Sequence, residues 1–253
     1  MSRVTICSIP VDVLTMSETI NRIDEAIIKR NHLHHVVVNA AKMVNAQKDF
    51  ELKKSIVNCD IISADGQSVV WASKFLNKPL PERVTGIDLM DALVALSSKR
   101  SYKIYLLGAR EEVVKSVVDV YTGRFGNNII AGYRNGYFNK EEEVEIVKQI
   151  SDSGADMLFV AMSSPAKEVF LEKYKELITV PFIMGVGGSF DVVAGIVKRA
   201  PKWMQKTGLE WLYRVWQEPG RMWKRYLFGN TEFIMMIIKE KMKQSFHHTF
   251  KHQ

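Results

Sequence analysis

The sequence predicts an α/β fold built on a mostly parallel sheet flanked by helices, and three observations carry that prediction. Through residues 1–195, short runs rich in Val, Ile and Leu alternate with longer amphipathic stretches, the signal of repeated βα units. At 253 residues and 47% hydrophobic content, the chain is long enough to bury a sizeable core. Charge then divides it: from Ile196 onward, 12 Lys and Arg face four acidic residues, about +8, which leaves residues 1–195 near −1 in a chain of net +7. The division predicts an α/β core, 1–195, and a basic, Trp-rich helical appendage, 196–253.

Strands are expected near Val4–Ser8, His35–Asn39, Asp60–Ser63, Lys103–Leu107, Asn128–Tyr133, Met157–Ala161 and Phe182–Val186. Between them the apolar spacing predicts helices such as Ser17–Lys29, Glu111–Arg124 and Lys140–Ser151, the first with Ser17, Glu18 and Thr19 as capping material. The stretches YLLGAR and FIMGVGGSF each lead from a strand into a glycine-containing turn, where ligands meet folds of this kind. After Ala200, Gly208 and the Pro219-Gly220 pair punctuate a helical composition, which predicts several short helices rather than one rod.

Several function classes fall away early. No apolar run approaches the ~20 residues that a membrane-crossing helix needs, and the N-terminus lacks the sections of a signal peptide, so an intracellular protein is expected. Cys7 and Cys59 lie in apolar segments without metal-ligand spacing and are expected as buried free thiols. The six histidines, His32, His34, His35, His247, His248 and His252, are expected at the surface, with no metal assigned to them. Four of five tryptophans (Trp203, Trp211, Trp216, Trp223) stand among the cations of the tail, a mixture suited to an anionic membrane surface or a phosphate-bearing partner.

Candidate site residues come from a few stretches. In ISADGQSVV, Asp65 separates a strand-like run from a helix-like one, so it either caps the helix or does chemistry at the loop mouth. Gly185, Gly187 and Gly188 in GVGGSFD form either a phosphate-cradling turn or a simple tight turn, since the spacing is not GxGxxG. Arg214, Arg221 and Arg225 stand in the company of the tail's tryptophans, and the planar fork of arginine suits diphosphate oxygens.

Taken together, ADGQSVVWASKFLNKPLPERVTGIDLM (64–90), YLLGARE (105–111), SSPAKE (163–168) and GVGGSFDVVAGIVKRAPKWMQKTGLEWLYRVWQEPGR (185–221) resemble the WecG/TagA/CpsF glycosyltransferases, family 26, in order from about residue 4 to 230. The resemblance implies a Rossmann-like core and inverting transfer of a sugar from a UDP-sugar to a sugar on a polyprenyl-diphosphate carrier. It places such a transfer in the synthesis of wall teichoic acid, enterobacterial common antigen, capsule or exopolysaccharide. It implies Asp65 as general base. Asn39 and the turn from Gly185 to Asp191 would line the crevice, and Arg214, Arg221 and Arg225 would bind diphosphate in place of a metal. No cofactor and no nucleic acid are implied. Two departures bear on the donor: Val37 replaces the Thr of a TxN motif, and PAKE places Lys167 where Gln stands in PKQE. Lys167 therefore reads either as a partner for a donor carboxylate, as on a hexuronic acid in place of N-acetylmannosamine, or as a solvated or phosphate-contacting cation.

The expected enzyme sits peripherally on the cytoplasmic face of the membrane. Ile234, Met235, Ile237 and Ile238 offer an apolar face to the membrane, the core or a second copy in a homo-oligomer. Two other readings remain open on the sequence: a nicotinamide-dependent oxidoreductase on the same type of sheet, and a non-catalytic adaptor whose tail binds anionic lipid or nucleic acid.

Overall fold

A computed structural model describes residues 2–217 and 219–250, with the side chains of 206, 221–228 and 246–250 outside the described set. β1 (Arg3–Ile6) and β2 (Ile9–Asp12) form an antiparallel hairpin beside the main sheet. Its two-residue turn holds Cys7 (φ 49°) and Ser8 (φ 60°) in the left-handed region, the twist that a tight hairpin favours. The second of these strands has no counterpart in the sequence expectation, and it contains Pro10, a residue excluded from central strands. In a two-stranded ribbon Pro10 is tolerated opposite Thr5. Asp12 ties the hairpin down: its buried carboxylate accepts from the Ile62 N–H at 2.7 Å and from Arg3 Nε at 2.8 Å.

The main sheet consists of β3 (Leu33–Val38), β4 (Ile61–Ala64), β5 (Ile104–Gly108), β6 (Ile130–Arg134), β7 (Met157–Ala161) and β8 (Phe182–Gly185), all parallel, in the order β4-β3-β8-β7-β5-β6. The helices in chain order are α1 (Met16–Ile28), α2 (Ala40–Lys48), α3 (Phe50–Val57), α4 (Gln67–Phe75), α5 (Gly86–Arg100) and α6 (Glu111–Phe125). They continue with α7 (Glu143–Asp152), α8 (Ala166–Tyr174), α9 (Ser189–Val193), α10 (Lys202–Lys206), α11 (Glu210–Gln217) and α12 (Pro219–Phe250). The parallel sheet that the alternating runs predict is therefore present, as are the three helices named from their spacing. The cap of α1 is Thr15, reciprocally bonded with Glu18, rather than Ser17.

Central strands are apolar on both faces because helices cover both. Leu106 and Phe159 pack with Leu89 and Met184 on one side, while their neighbours Leu107 and Leu158 pack with Ile146 and Phe170 on the other. Two of the histidines expected at the surface depart from that expectation. His34 and His35 lie in β3 and are buried, and the loss of hydration pushes their pKa values down to about 4 and about 3, so both rings are neutral at pH 7. His35 Nε2 lies 3.0 Å from Ser63 Oγ on the adjacent strand. His32 is exposed as expected, and the side chains of His247, His248 and His252 lie outside the described residues. Cys7 and Cys59 are free and buried, as the sequence expects.

The tail breaks where Gly208 and Pro219 predict, giving the short α10 and α11, but from Pro219 to Phe250 the chain is a single helix of 32 residues. Proline is well suited to the first helical position and Gly220 falls in the frayed first turn, so neither interrupts α12. Tertiary packing then stabilises its length. Phe233 and Ile237 are buried against Met43, Val44 and Ile9, and Glu240 accepts from the Cys7 N–H at 2.7 Å and from Lys78 Nζ at 3.0 Å. Ile234, Met235 and Ile238 on the same helix remain exposed, so of the four apolar residues only Ile237 meets the core. Among the described residues no helix is long and apolar enough to cross a membrane.

Candidate active site

From β3 the chain passes outward to β4 at one edge, whereas β5 to β8 fill the other side of β3. The change of direction opens a crevice at the carboxyl ends of the strands, where α/β sheets bind ligands. Asp65 follows β4 directly, and its N–H donates to the Val38 carbonyl at 2.9 Å, one step beyond the regular ladder. Asn39 follows β3 and caps α2, its Oδ1 accepting from the Lys42 N–H at 3.0 Å. The two ends are in contact: a Cβ on Gly66 would stand 3.2 Å from Asn39 Cβ.

Asp65 does not cap α4. Gly66 occupies that position, with no side-chain cap, and the Asp65 carboxylate instead accepts a hydrogen bond from the Gly86 N–H in the first turn of α5. Protein surrounds the carboxylate on nearly every side while partial solvent access remains. Loss of hydration raises its pKa above the ordinary aspartate value. Arg83, Arg214 and the Gly86 N–H oppose that rise, and Glu210 reinforces it. A largely enclosed carboxylate with some solvent access, strengthened basicity and two guanidinium groups within electrostatic reach can accept a proton while anionic charge develops nearby.

An ion cluster assembles this geometry. Thr85 caps α5, and its hydroxyl donates to Asp88 at 2.5 Å. Arg199 grips Asp88 with both terminal nitrogens, at 2.5 and 2.7 Å. Burial alone would raise the Asp88 carboxyl, but the bonds from Arg199 and Thr85 overcome it and hold the group below its ordinary value. Glu210, in the first turn of α11, reaches Arg83 at 3.3 Å and Arg199 at 3.6 Å. The same helix carries Arg214, which lines a shallow cleft with Ile87, Val192, Val197 and Arg199.

A second cluster lies beneath the Gly185 turn. Lys167 is buried, with its Nζ 2.6 Å from Glu168, which also takes Lys42 at 2.8 Å. Burial would raise the Glu168 pKa, yet the two ammonium groups hold it down at about 2. A solvated Lys167, one of the sequence alternatives, is therefore ruled out by the packing of α8. Gly185 is required by close approach, since a Cβ there would stand 2.6 Å from Lys167 Cε. Gly187 (φ 54°) turns the chain, Gly188 precedes α9, and Asp191 Oδ2 lies 3.7 Å from where a Gly188 Cβ would stand.

The structure thus joins Asn39, Asp65 and Arg214 at one mouth and Lys167 with Gly185 behind an adjacent strand end. Arg221 and Arg225 are in α12, and their side chains lie outside the described residues. Residue-by-residue reading assigned no role to Arg83, Asp88, Arg199 or Glu210. Arg83 and Asp88 stand inside the 64–90 block and Arg199 and Glu210 inside the 185–221 block, but no local spacing marks charges that meet only after folding.

Comparison with known proteins bears on what this mouth does. The model of the glycosyl transferase WecG/TagA/CpsF family matches residues 4–247. The chain belongs to that family. It is accordingly a glycosyltransferase, and the oxidoreductase and non-catalytic adaptor readings fall away. A Bacillus subtilis (strain 168) protein named N-acetylglucosaminyldiphosphoundecaprenol N-acetyl-beta-D-mannosaminyltransferase is 36% identical over 210 residues, 83% of this chain and 81% of that protein. A protein of the same name from Bacillus spizizenii (strain ATCC 23059 / NRRL B-14472 / W23) is 35% identical over 184 residues, 73% of this chain and 70% of that protein. The family match runs through α10 and α11 and into most of α12, so the basic tail is part of the shared architecture.

Proposed function

We propose that this glycosyltransferase moves an N-acetylmannosamine-type sugar, with inversion, from its UDP conjugate to a sugar carried on polyprenyl diphosphate. This is a step in building teichoic acid or a related surface polysaccharide. The observation that carries the reading is the setting of Asp65: largely enclosed but with some solvent access at the end of β4, raised in pKa, and within electrostatic reach of Arg83 and Arg214. Asp65 takes the proton of the acceptor hydroxyl, the freed oxygen bonds to the anomeric carbon, and the bond from that carbon to the UDP oxygen breaks with its electron pair leaving on UDP. Arg83 and Arg214 steady the charge that accumulates on the diphosphate, the service a metal ion gives elsewhere. Asn39 and the turn from Gly185 to Asp191 border the same crevice and contact the donor. Arg221 and Arg225, whose side chains lie outside the described residues, are assigned to diphosphate by the sequence resemblance alone.

The names of the two Bacillus relatives supply the donor and acceptor classes, and the Lys42–Glu168–Lys167 cluster favours the neutral amino sugar over a hexuronic acid. The ammonium of Lys167 is already paired with Glu168, so a donor carboxylate would have to displace a buried partner. The enzyme reaches its lipid-linked acceptor from the cytoplasmic side through the basic tail, where Trp203, Trp211 and Trp216 are exposed.

The test is Asp65→Asn assayed with UDP-N-acetylmannosamine and a short-chain polyprenyl-diphosphate-N-acetylglucosamine. Turnover should fall by about 10² to 10⁴, with the melting temperature and UDP affinity close to wild type. Full activity in that variant would remove Asp65 as the base, and failure of the wild type with every UDP-sugar offered would remove the substrate assignment.

A further inference from the structure

Glu210 sits among three guanidinium groups: among the described residues Asp65, Asp88 and Glu210 face Arg83, Arg199 and Arg214. A diphosphate entering such a cluster competes with its carboxylates for the guanidinium groups and binds more strongly where one internal anion gives way. The distances identify which anion that is. Arg199 holds Asp88 at 2.5 and 2.7 Å, within the range of a tight charge-assisted pair, and Thr85 fixes Asp88 to α5. Glu210 lies at 3.3 Å from Arg83 and 3.6 Å from Arg199, loose contacts on a carboxylate that keeps 16% exposure. None of the residues of α11 is buried, and its side-chain ties to the core include Glu210 with Arg83 and Arg199.

We propose that Glu210 is a positioning residue that stands in for the donor's diphosphate: before the donor binds, its carboxylate holds Arg83 and seats α11 with Arg214 beside Asp65, and it yields Arg83 to the diphosphate as the donor enters. The inference rests on the sugar-transfer reading above. Arg199 keeps Asp88 throughout and remains the fixed point of the cluster. Withdrawal of Glu210 also changes the surroundings of the base. Among the described residues, the charged and polar groups that act on Asp65 are Arg83 from the segment before α5, the Gly86 N–H of α5, and Arg214 and Glu210 of α11. Of these Glu210 is the negative one, so its departure lets the two arginines act on the reacting oxygens unopposed.

The experiment compares Glu210→Gln and Glu210→Asp with the wild-type full chain, measuring UDP affinity by calorimetry, kcat and KM, the pH profile of kcat/KM, and the melting temperature. With Glu210→Gln, UDP should bind up to about fivefold more tightly, because an internal competitor worth at most a modest ion pair is gone. Its kcat should fall as α11 loses its seat. The acid limb of kcat/KM should move to lower pH by on the order of one unit, since a negative neighbour of Asp65 is removed. Glu210→Asp keeps the charge but shortens the reach, so UDP binding should tighten while the acid limb returns toward the wild-type position. Unchanged or weakened UDP binding in both variants, or an unmoved acid limb in Glu210→Gln, would reduce Glu210 to a structural prop and overturn the proposal. Should Glu210→Gln lose its melting transition, the UDP affinity of Glu210→Asp decides alone by the same criterion. A wild-type chain that binds no UDP would instead remove the sugar-transfer reading itself.

Discussion

Asp65 and Glu168 are both enclosed carboxylates, and their environments drive them in opposite directions. Around Asp65 the loss of hydration outweighs two arginines, so the group titrates above the ordinary 3.8. If Asp65 is the base, it must be ionised to act, and kcat/KM should fall as pH drops through that raised value. A profile whose acid limb lies at or below the ordinary aspartate pKa would contradict the assignment. Glu168 is held down at about 2 by Lys42 and Lys167, so the stability it contributes is fully present above the ordinary glutamate value of 4.5 and is lost as pH falls through about 2. Glu168→Ala should destabilise the fold by about 3–5 kcal/mol, because two buried ammonium groups lose their shared partner. Thermal unfolding measures this directly, and a shift of under a degree would show that the cluster relaxes or hydrates freely. At this scale the sequence was partly legible. It gave Asp65 two roles, cap or chemistry, and only the position of Gly66 as the helix cap separated them. Arg83 and Glu210 carried no local signal, since they are 127 residues apart and gain meaning only by meeting.

Elements were easier to read where one physical cause dominates. Met157–Ala161 is uniformly apolar and fully buried, and its bounds are those the sequence expects. Periodicity likewise marked α1, α6 and α7. Where two causes compete, the outcome departs from expectation: a second strand, β2, forms around Pro10, and His34 and His35, expected at the surface, take the burial that a central strand imposes. In α12 local composition is ambiguous, and tertiary contacts decide the outcome. Phe233 and Ile237 join the core cluster that holds Met43 and Val44 of α2, with Met236 packed at its edge. Phe233→Ala should therefore cost about 3–5 kcal/mol, while Met235→Ala, at an exposed site on the same helix, should stay within about 0.5 kcal/mol. Urea denaturation of the pair distinguishes a core helix from a loosely attached one, since equal midpoints would place α12 outside the cooperative unit.

For the whole molecule, the +7 net charge is concentrated in the tail, and the proposed attachment to an anionic surface should behave accordingly. Each Lys or Arg near such a surface contributes about 1 kcal/mol, so sedimentation with vesicles containing anionic lipid should be strong at low salt. It should be largely lost near 1 M salt, where the screening length shrinks to about 3 Å. Binding that is indifferent to salt would point to apolar insertion alone. The sequence by itself determined the parallel α/β architecture, the charge division and the family, because strand burial, helix periodicity and long ordered motifs are local patterns that survive in one dimension. Only the tertiary structure decided that the tail's last helix completes the core and that Arg83, Asp88, Arg199, Glu210 and Arg214 gather around Asp65. Those are electrostatic and packing relations between distant segments, with energies set by separation in space and by exclusion of water, neither of which chain order records.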